Sequence, residues 1–307
     1  MIGEDMKRII FTLCLIMIVT LVNFCGGDIY YEYKIYSFRN SYAGTICNEY
    51  YKPDKINFVK ENFEIELNSR QDIIDSLYTF LNSGDEVLKR YCAKEYITCE
   101  DDINSIASDE DLLSYINSFV HPYNSFFNIT FSYDKLLRLE VTYNKIYSNK
   151  DILMINEEIG NFIKENVSPA MDDYDKIKIF HDYIIDNTEY DLLKRSNLND
   201  NTYRSNTAYG PLFEGYAICS GYADVMAIYL DMLGIVNYKI SNDTHIWNLV
   251  YVNGEWLHLD LTWDDPVYED GNIGTIDYDY FLIDTNELKK RDSDEHYFDE
   301  NVYIEAK

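Results

Sequence analysis

Proline-rich linkers, internal repeats and low-complexity tracts are missing from this 307-residue chain, which has only five prolines. Its six cysteines form no Cys-x-x-Cys pair and have no histidines beside them, which argues against a structural zinc site. Basic residues are also few, 26 against 54 acidic ones, for a net charge of −28. That is the wrong sign for a nucleic-acid binder, and nucleic acid is excluded as a partner. The same charge keeps an exported chain soluble and self-repelling, and acidic loops would repel acidic polymers and draw basic peptides. Residues 264–307 alone hold fourteen Asp or Glu against four Lys or Arg. No Asp-x-Asp-x-Asp-Gly loop with a terminal Glu accompanies them, so calcium stays a minor alternative and no other cofactor or metal is expected.

A long transmembrane run is absent too. Lys7-Arg8 precede the apolar stretch Ile9 to Val22, which is short for a span and suits a secretory signal. Residues 1–27 are therefore expected to be a signal peptide or a membrane or lipoprotein anchor. In Leu21-Val22-Asn23-Phe24-Cys25-Gly26-Gly27, Cys25 stands where a lipoprotein is lipidated, although Phe24 occupies a small-residue position; cleavage near Gly26-Gly27 and an uncleaved anchor are the alternatives. Glu4-Asp5 dilute the basic start, which makes Met6 a second candidate initiator. The expected location is outside the cell, free or anchored at its surface. Cys14 and Cys25 belong to this leader, leaving Cys47, Cys92, Cys99 and Cys219. Cys92 and Cys99 can pair if the loop between them folds back, but one pair is no disulfide framework.

What the sequence does hold is chemistry between Tyr209 and Pro266. Apolar residues at Tyr222, Met226, Tyr229, Leu230 and Leu233 recur at helical spacing, and Gly234 suits the end of that helix. Cys219 then sits at or just before its first turn, where unpaired N–H groups and the positive end of the helix dipole suit a reactive cysteine rather than an inert buried one. His245 to Val252 and Glu255 to Trp263 read as strands joined by Asn253-Gly254, a strong two-residue hairpin signal. Pairing across that turn sets Val252 against Glu255, Leu249 against His258, Trp247 against Asp260 and His245 against Thr262. His245, Trp247, His258, Asp260 and Thr262 then share one face, with His245 and Asp260 as diagonal neighbours. Thiol, imidazole and carboxylate in one region are the equipment for acyl transfer through a thioester: Cys219 as nucleophile, His245 as base and Asp260 orienting it. His258 is the rival base and reads as a satisfied structural histidine. Asp264 and Asp265, just before Pro266, are rival carboxylates with an expected turn-forming or solvent-facing role. His181 lies on one helical face with Ile177, Ile184 and Ile185 and is read as packed against the core. Trp247 either walls the acyl-donor groove or fills the core.

These motifs resemble the transglutaminase-like superfamily, with its papain-like Cys-His-Asp core. The resemblance is carried by His181-Asp182-Tyr183-Ile184 with Tyr190-Asp191, Ala208-Tyr209-Gly210, Cys219-Ser220-Gly221-Tyr222-Ala223, His245-Ile246-Trp247-Asn248, Asp260 to Pro266 and Asp279-Tyr280-Phe281-Leu282. It covers roughly the C-terminal half. It implies the catalytic set Cys219, His245 and Asp260, with Trp247, Ser220, His258 and Tyr209 as groove or supporting residues. Ser220 and Ile246 depart from the family's usual Gln and Ala. If Ser220 replaces an oxyanion-binding side chain, the backbone N–H of Cys219 and its neighbours must take over.

The expected fold is α+β: a nucleophile at a helix N-terminus packed on an antiparallel sheet carrying His and Asp, preceded by a smaller mixed region. Residues 28–150 form the expected N-terminal accessory domain and 151–307 the catalytic one. In the former, helices are expected through Ile73 to Leu81 and around Leu112 to Phe119. An alternating hairpin follows, Phe127-x-Ile129-x-Phe131 and Leu137-x-Leu139-x-Val141-x-Tyr143. The thirty tyrosines are scattered through both halves and suit sheets and core edges. Two functions are compatible with this sequence. One is thiol-dependent acyl transfer on peptide or glutamine amides, as peptidase, amidase or crosslinker of peptide, surface or cell-wall substrates. The other is a catalytically silent cell-surface module that grips peptides.

Overall fold

The computed structural model describes Tyr33 and residues 48–52, 56–134, 138–265, 276–291 and 294–307. The leader, Cys14, Cys25, Cys47 and Pro266 lie outside the described residues. Chain order in the N-terminal region is β1 (Glu66–Leu67), α1 (Arg70–Ser83), β2 (Val87–Cys92), α2 (Cys99–Ala107), α3 (Glu110–Ser118), β3 (Phe126–Tyr133) and β4 (Arg138–Lys145). Ser69 caps α1 by accepting from the Asp72 N–H, Gly84 ends it in the left-handed region, and Asp109 caps α3. The helix expected through Ile73 to Leu81 falls within α1, the one expected around Leu112 to Phe119 is α3 with Phe119 just past its end, and the alternating hairpin is β3 and β4, with Leu137 outside the described residues. The four strands form a sheet in the order β1-β2-β4-β3, in which β1 runs parallel to β2. Cys92 and Cys99 are disulfide-bonded at a Cα separation of 6.1 Å, tying the end of β2 to the start of α2.

The rest comprises α4 (Asn149–Asn166), α5 (Asp173–Asp186), β5 (Glu189–Tyr190), α6 (Leu192–Ser196), β6 (Tyr216–Ala217), α7 (Cys219–Met232), β7 (Asn237–Ser241), β8 (Ile246–Val252), β9 (Glu255–Leu259), α8 (Leu261–Asp264), β10 (Phe281–Ile283) and α9 (Thr285–Arg291). A reciprocal capping box between Ser148 and Asp151 starts α4. Strands β10-β9-β8-β7 make an antiparallel sheet, and β5 pairs in parallel with β6 just ahead of Cys219. Asn253 and Gly254 both adopt positive φ, 54° and 92°, which makes the two-residue turn that matches strand twist. The register across it is the expected one from Val252↔Glu255 to Leu249↔His258.

Beyond that point the structure corrects the sequence reading. β9 ends at Leu259, and the segment expected to continue as strand to Trp263 becomes α8, with Asp260 as its N-cap accepting from the Thr262 N–H. Trp247 and Asp260 are therefore not ladder partners, nor are His245 and Thr262. An aspartate that can bond its own backbone two residues on favours a cap over a strand.

The sheet is buried on both faces. Tyr238, Ile240, Trp247 and Leu249 face a core shared with Leu77, Phe80 and Ile116 of the N-terminal helices and with Val302 and Tyr303 near the C-terminus. Val250, Val252 and Leu259 face a second core built on α7, through Val225, Met226 and Tyr229. A helix buried all along its length needs apolar residues on every side, and Gly221 through Leu230 are all buried. Each large apolar side chain so buried contributes about 1.5–3 kcal/mol.

Candidate active site

Cys219 is the first residue of α7, partly exposed, and among the described residues the one free cysteine. Ile218 at the N-cap has no side-chain acceptor, so no side chain caps this helix start. The helix's first N–H groups, at Cys219 and Ser220, are the donors such a start leaves over. The close approach behind the sulfur needs Gly221: a Cβ there would overlap the Ser205 carbonyl oxygen. Parallel pairing of Tyr190 with Ala217 places Tyr190 half-buried beside Cys219, and burial first, then the nearby Cys219, pushes its phenol pKa up.

His245 immediately precedes β8 and Asp260 immediately follows β9, so both stand at strand ends and reach the same point. His245 Nε2–H donates to Asp260 Oδ2 at 2.5 Å, and both residues are buried. That leaves Nδ1 for the thiol. Burial disfavours an imidazolium, but the Asp260 charge and the hydrogen bonds to Asp260 and Cys219 outweigh it and push the His245 pKa up to about 10. Asp260 is likewise opposed by burial, yet His245 and then His296 hold its carboxyl well below the usual range.

The sequence points to no role for His296. Its Nε2–H donates to the same Asp260 oxygen at 2.8 Å, and its ring stacks on Tyr280 at 4.8 Å. The link is tertiary: 36 residues separate His296 from Asp260, and no motif marks it. Asn242 is equally silent in the sequence. Its side-chain Oδ1 accepts from the His245 N–H at 2.9 Å, while its Nδ2 donates to the carbonyls of Glu295 and Tyr297 at 2.7 and 2.9 Å. One amide thus pins the backbone of His245 to both sides of His296. His245, Asp260 and His296 also form a set of metal-ligating types, their ligand atoms within 4.8 Å of one another. Two hydrogen bonds to one carboxylate oxygen already join them.

Trp247 is buried, stacks on His245 at 5.5 Å, and donates from Nε1 to His258 Nδ1 at 3.0 Å. Of its two expected roles it takes the core one; the exposed ring beside His245 and His296 is Trp263. His258 passes the pattern on, donating from Nε2 to Thr285 Oγ1 at 2.9 Å, and Thr285 donates to the Ala306 carbonyl. An imidazole that accepts at Nδ1 is neutral. Burial, then neighbouring His296, pushes the His258 pKa down to about 3. Ser220 donates to the Asn206 carbonyl at 3.1 Å. Tyr209 packs on Phe213 and under the Arg204 guanidinium, 4.7 and 4.1 Å away.

Asp264 and Asp265 correct the expectation of a turn-forming or solvent-facing role. Asp264 is fully buried, bonded to His181 Nε2 at 3.1 Å and to the Tyr280 N–H at 2.8 Å. Asp265 is buried against the Tyr222 hydroxyl. Burial pushes both carboxyl pKa values up to about 6. His181 is buried between Asp182 and Asp264, on the core side of α5 as its spacing predicts. A cavity of about 410 Å³ lies at the other end of α7, lined by Lys52, His121, Asp231, Asn237, Tyr238 and Trp256, away from Cys219.

Residues 161–261 match the family model of the transglutaminase-like superfamily. No curated protein matches the chain. A solved transglutaminase structure is similar at 16% identity and a TM-score of 0.35, with 45% of each chain covered. A candidate cysteine protease from Cytophaga hutchinsonii is similar at 15% identity and a TM-score of 0.28, with 44% of this chain and 61% of that one covered. The chain thus spans less than two thirds of either structure. Residues 161–261, which hold Cys219, His245 and Asp260, are thus a transglutaminase-like domain within the chain.

Proposed function

We propose that this protein transfers acyl groups from peptide or glutamine amides through a thioester on Cys219. The observation that carries the proposal is the convergence of three groups: Cys219 at an uncapped helix start, and His245 oriented by Asp260 with Nδ1 left for the thiol. In the reacting state the proton of the Cys219–His245 pair is held on His245 Nδ1, and the sulfur attacks the amide carbonyl carbon. The oxyanion that forms is met by the backbone N–H groups of Cys219 and Ser220, aligned with the positive end of α7. Collapse breaks the C–N bond as His245 gives its Nδ1 proton to the departing nitrogen, leaving a thioester and a free amine or ammonia. Water or a second amine then attacks the thioester, gives a proton to His245 and regenerates the thiol. Asp260 stays ionised throughout and keeps the ring in the orientation that serves both transfers.

The same first half-reaction serves a hydrolase and a crosslinker, and the acceptor decides between them. An exported setting is part of the proposal: the N-terminal leader pattern and the Cys92–Cys99 disulfide both suit an oxidising compartment, where peptide and cell-surface substrates are at hand. The test is intact mass spectrometry of the protein without its leader, incubated with a glutamine-containing casein digest and a labelled primary amine, beside Cys219→Ala. Label in peptides only with the intact thiol establishes a transferase. Cleavage, or a one-unit mass gain at glutamine without label, establishes a hydrolase. Identical spectra for both proteins would reject acyl transfer on these substrates and favour a peptide-gripping module.

A further inference from the structure

We infer that His296 is a positioning residue of this site, so that the C-terminal segment beyond the matched family region completes it. The inference rests on the catalytic reading of His245 and Asp260 given above. Three observations carry it. First, His245 Nε2–H and His296 Nε2–H donate to the same oxygen, Asp260 Oδ2, at 2.5 and 2.8 Å. Asp260 Oδ1 is occupied by the Thr262 N–H at 2.9 Å, so the carboxylate is fixed from both oxygens and cannot swing away from His245. Second, His296 is itself immobilised. It is 1% exposed, stacked on Tyr280 and edge-on to Trp247 and His245 at 5.0 and 5.1 Å. Third, its backbone is locked to that of His245 through the Asn242 amide.

The physical need is plain. A buried carboxylate that orients a catalytic imidazole works only while its own rotation is prevented, and charge-assisted hydrogen bonds are the strong means of doing so. His296 provides one from a segment that the family match, ending at residue 261, does not contain. That segment is in turn anchored far from the site: Tyr303 and Ala306 are buried in the N-terminal core, and Glu305 accepts from the Asn57 backbone at 2.9 Å. Residues 294–307 therefore act as a strap whose far end is held by the N-terminal region and whose near end holds Asp260.

Two polar replacements of similar size separate the bond from the bulk. His296→Gln carries an N–H donor to about the position of Nε2; His296→Asn carries it to about that of Nδ1, out of reach of Asp260. Each protein, full length without its leader, is examined by ¹H NMR for the far-downfield imidazole N–H of the His245–Asp260 bond, with His245→Gln for assignment. The rate of Cys219 alkylation by iodoacetamide at neutral pH is measured in parallel. The wild type and His296→Gln are expected to show the signal and to react within threefold of each other. His296→Asn is expected to lose the signal and react at least tenfold more slowly. A His296→Asn protein that keeps the signal, or a wild type that never shows it, would overturn the inference. A wild-type thiol that reacts no faster than free cysteine counts against the proposed function instead, and the NMR comparison still decides the role of His296.

Discussion

His245 carries the charge logic of the site. Its folded-state pKa, about 10, lies above the ordinary value of ~6.5 because Asp260 outweighs burial. The stabilisation it lends is complete below ~pH 6.5 and is lost as the pH rises towards 10. Asp260 has the opposite sign. Its pKa is depressed, so its share is complete above ~pH 4 and is lost on acidification. In the proposed reaction the imidazolium is the acid that protonates the departing nitrogen, so acylation by a glutamine peptide should hold across neutral pH and fall as His245 deprotonates near pH 10. Stopped-flow measurement of the acylation burst against pH would show that limb; a decline already complete at pH 7 would contradict it. Asp260→Asn removes the charge while nearly keeping the shape. Burst acylation should drop about 10³–10⁴-fold, by analogy with the loss of the carboxylate from other catalytic triads. The alkaline limb should move down towards ~6.5, since burial is then unopposed by the carboxylate.

Helix α7 converts local sequence into that geometry. Its first turn must approach the Ser205–Thr207 backbone closely, and glycine at position 221 is what allows it. Gly221→Ala sets a methyl against the Ser205 carbonyl, where backbone has to move, and should cost about 1–3 kcal/mol. Because the displaced element carries Cys219, alkylation should slow at the same time; a thermal melt and an iodoacetamide rate on the same sample would check both. An unchanged melt would mean that the loop, not the helix, gives way. Element by element, the sequence was legible wherever the signal was local. The end of α7 at Gly234, the Asn253-Gly254 turn and the register as far as His258 all follow from periodicity and turn chemistry. It failed at Asp260, where side-chain capping overrode the β-rich composition of Leu261-Thr262-Trp263, and at Asp264, where a tertiary partner, His181, buries an aspartate that looked like turn material. His296 and Asn242 carried no signal at all, since their partners are brought together only by the folded chain.

At the scale of the molecule, the sheet that carries the site is a shared wall. Trp247 stacks on His245 from one side, and its own surroundings are the N-terminal helices and the C-terminal strap. Cutting the chain at residue 150 would strip cover from Tyr238, Ile240, Trp247 and Leu249 together, all of them under 4% exposed in the whole chain. At roughly 25 cal/mol per Å², with up to 150–250 Å² per aromatic ring, this loss is several kcal/mol, comparable to the entire stability of an ordinary domain. The strap would lose its anchor in the same step, because Tyr303 packs on Phe119 at 5.4 Å and on Tyr115 at 5.7 Å. A fragment of residues 151–307 should therefore be insoluble or molten when expressed alone, and co-expression with residues 28–150 should rescue it as a noncovalent pair. The comparison is made by size exclusion and by the iodoacetamide rate of Cys219. A lone fragment that is monomeric, melts cooperatively and reacts at the full-length rate would show that the N-terminal region is dispensable to the site. A fragment that folds only with its partner would make that region the support on which His245, Asp260 and His296 are held in register.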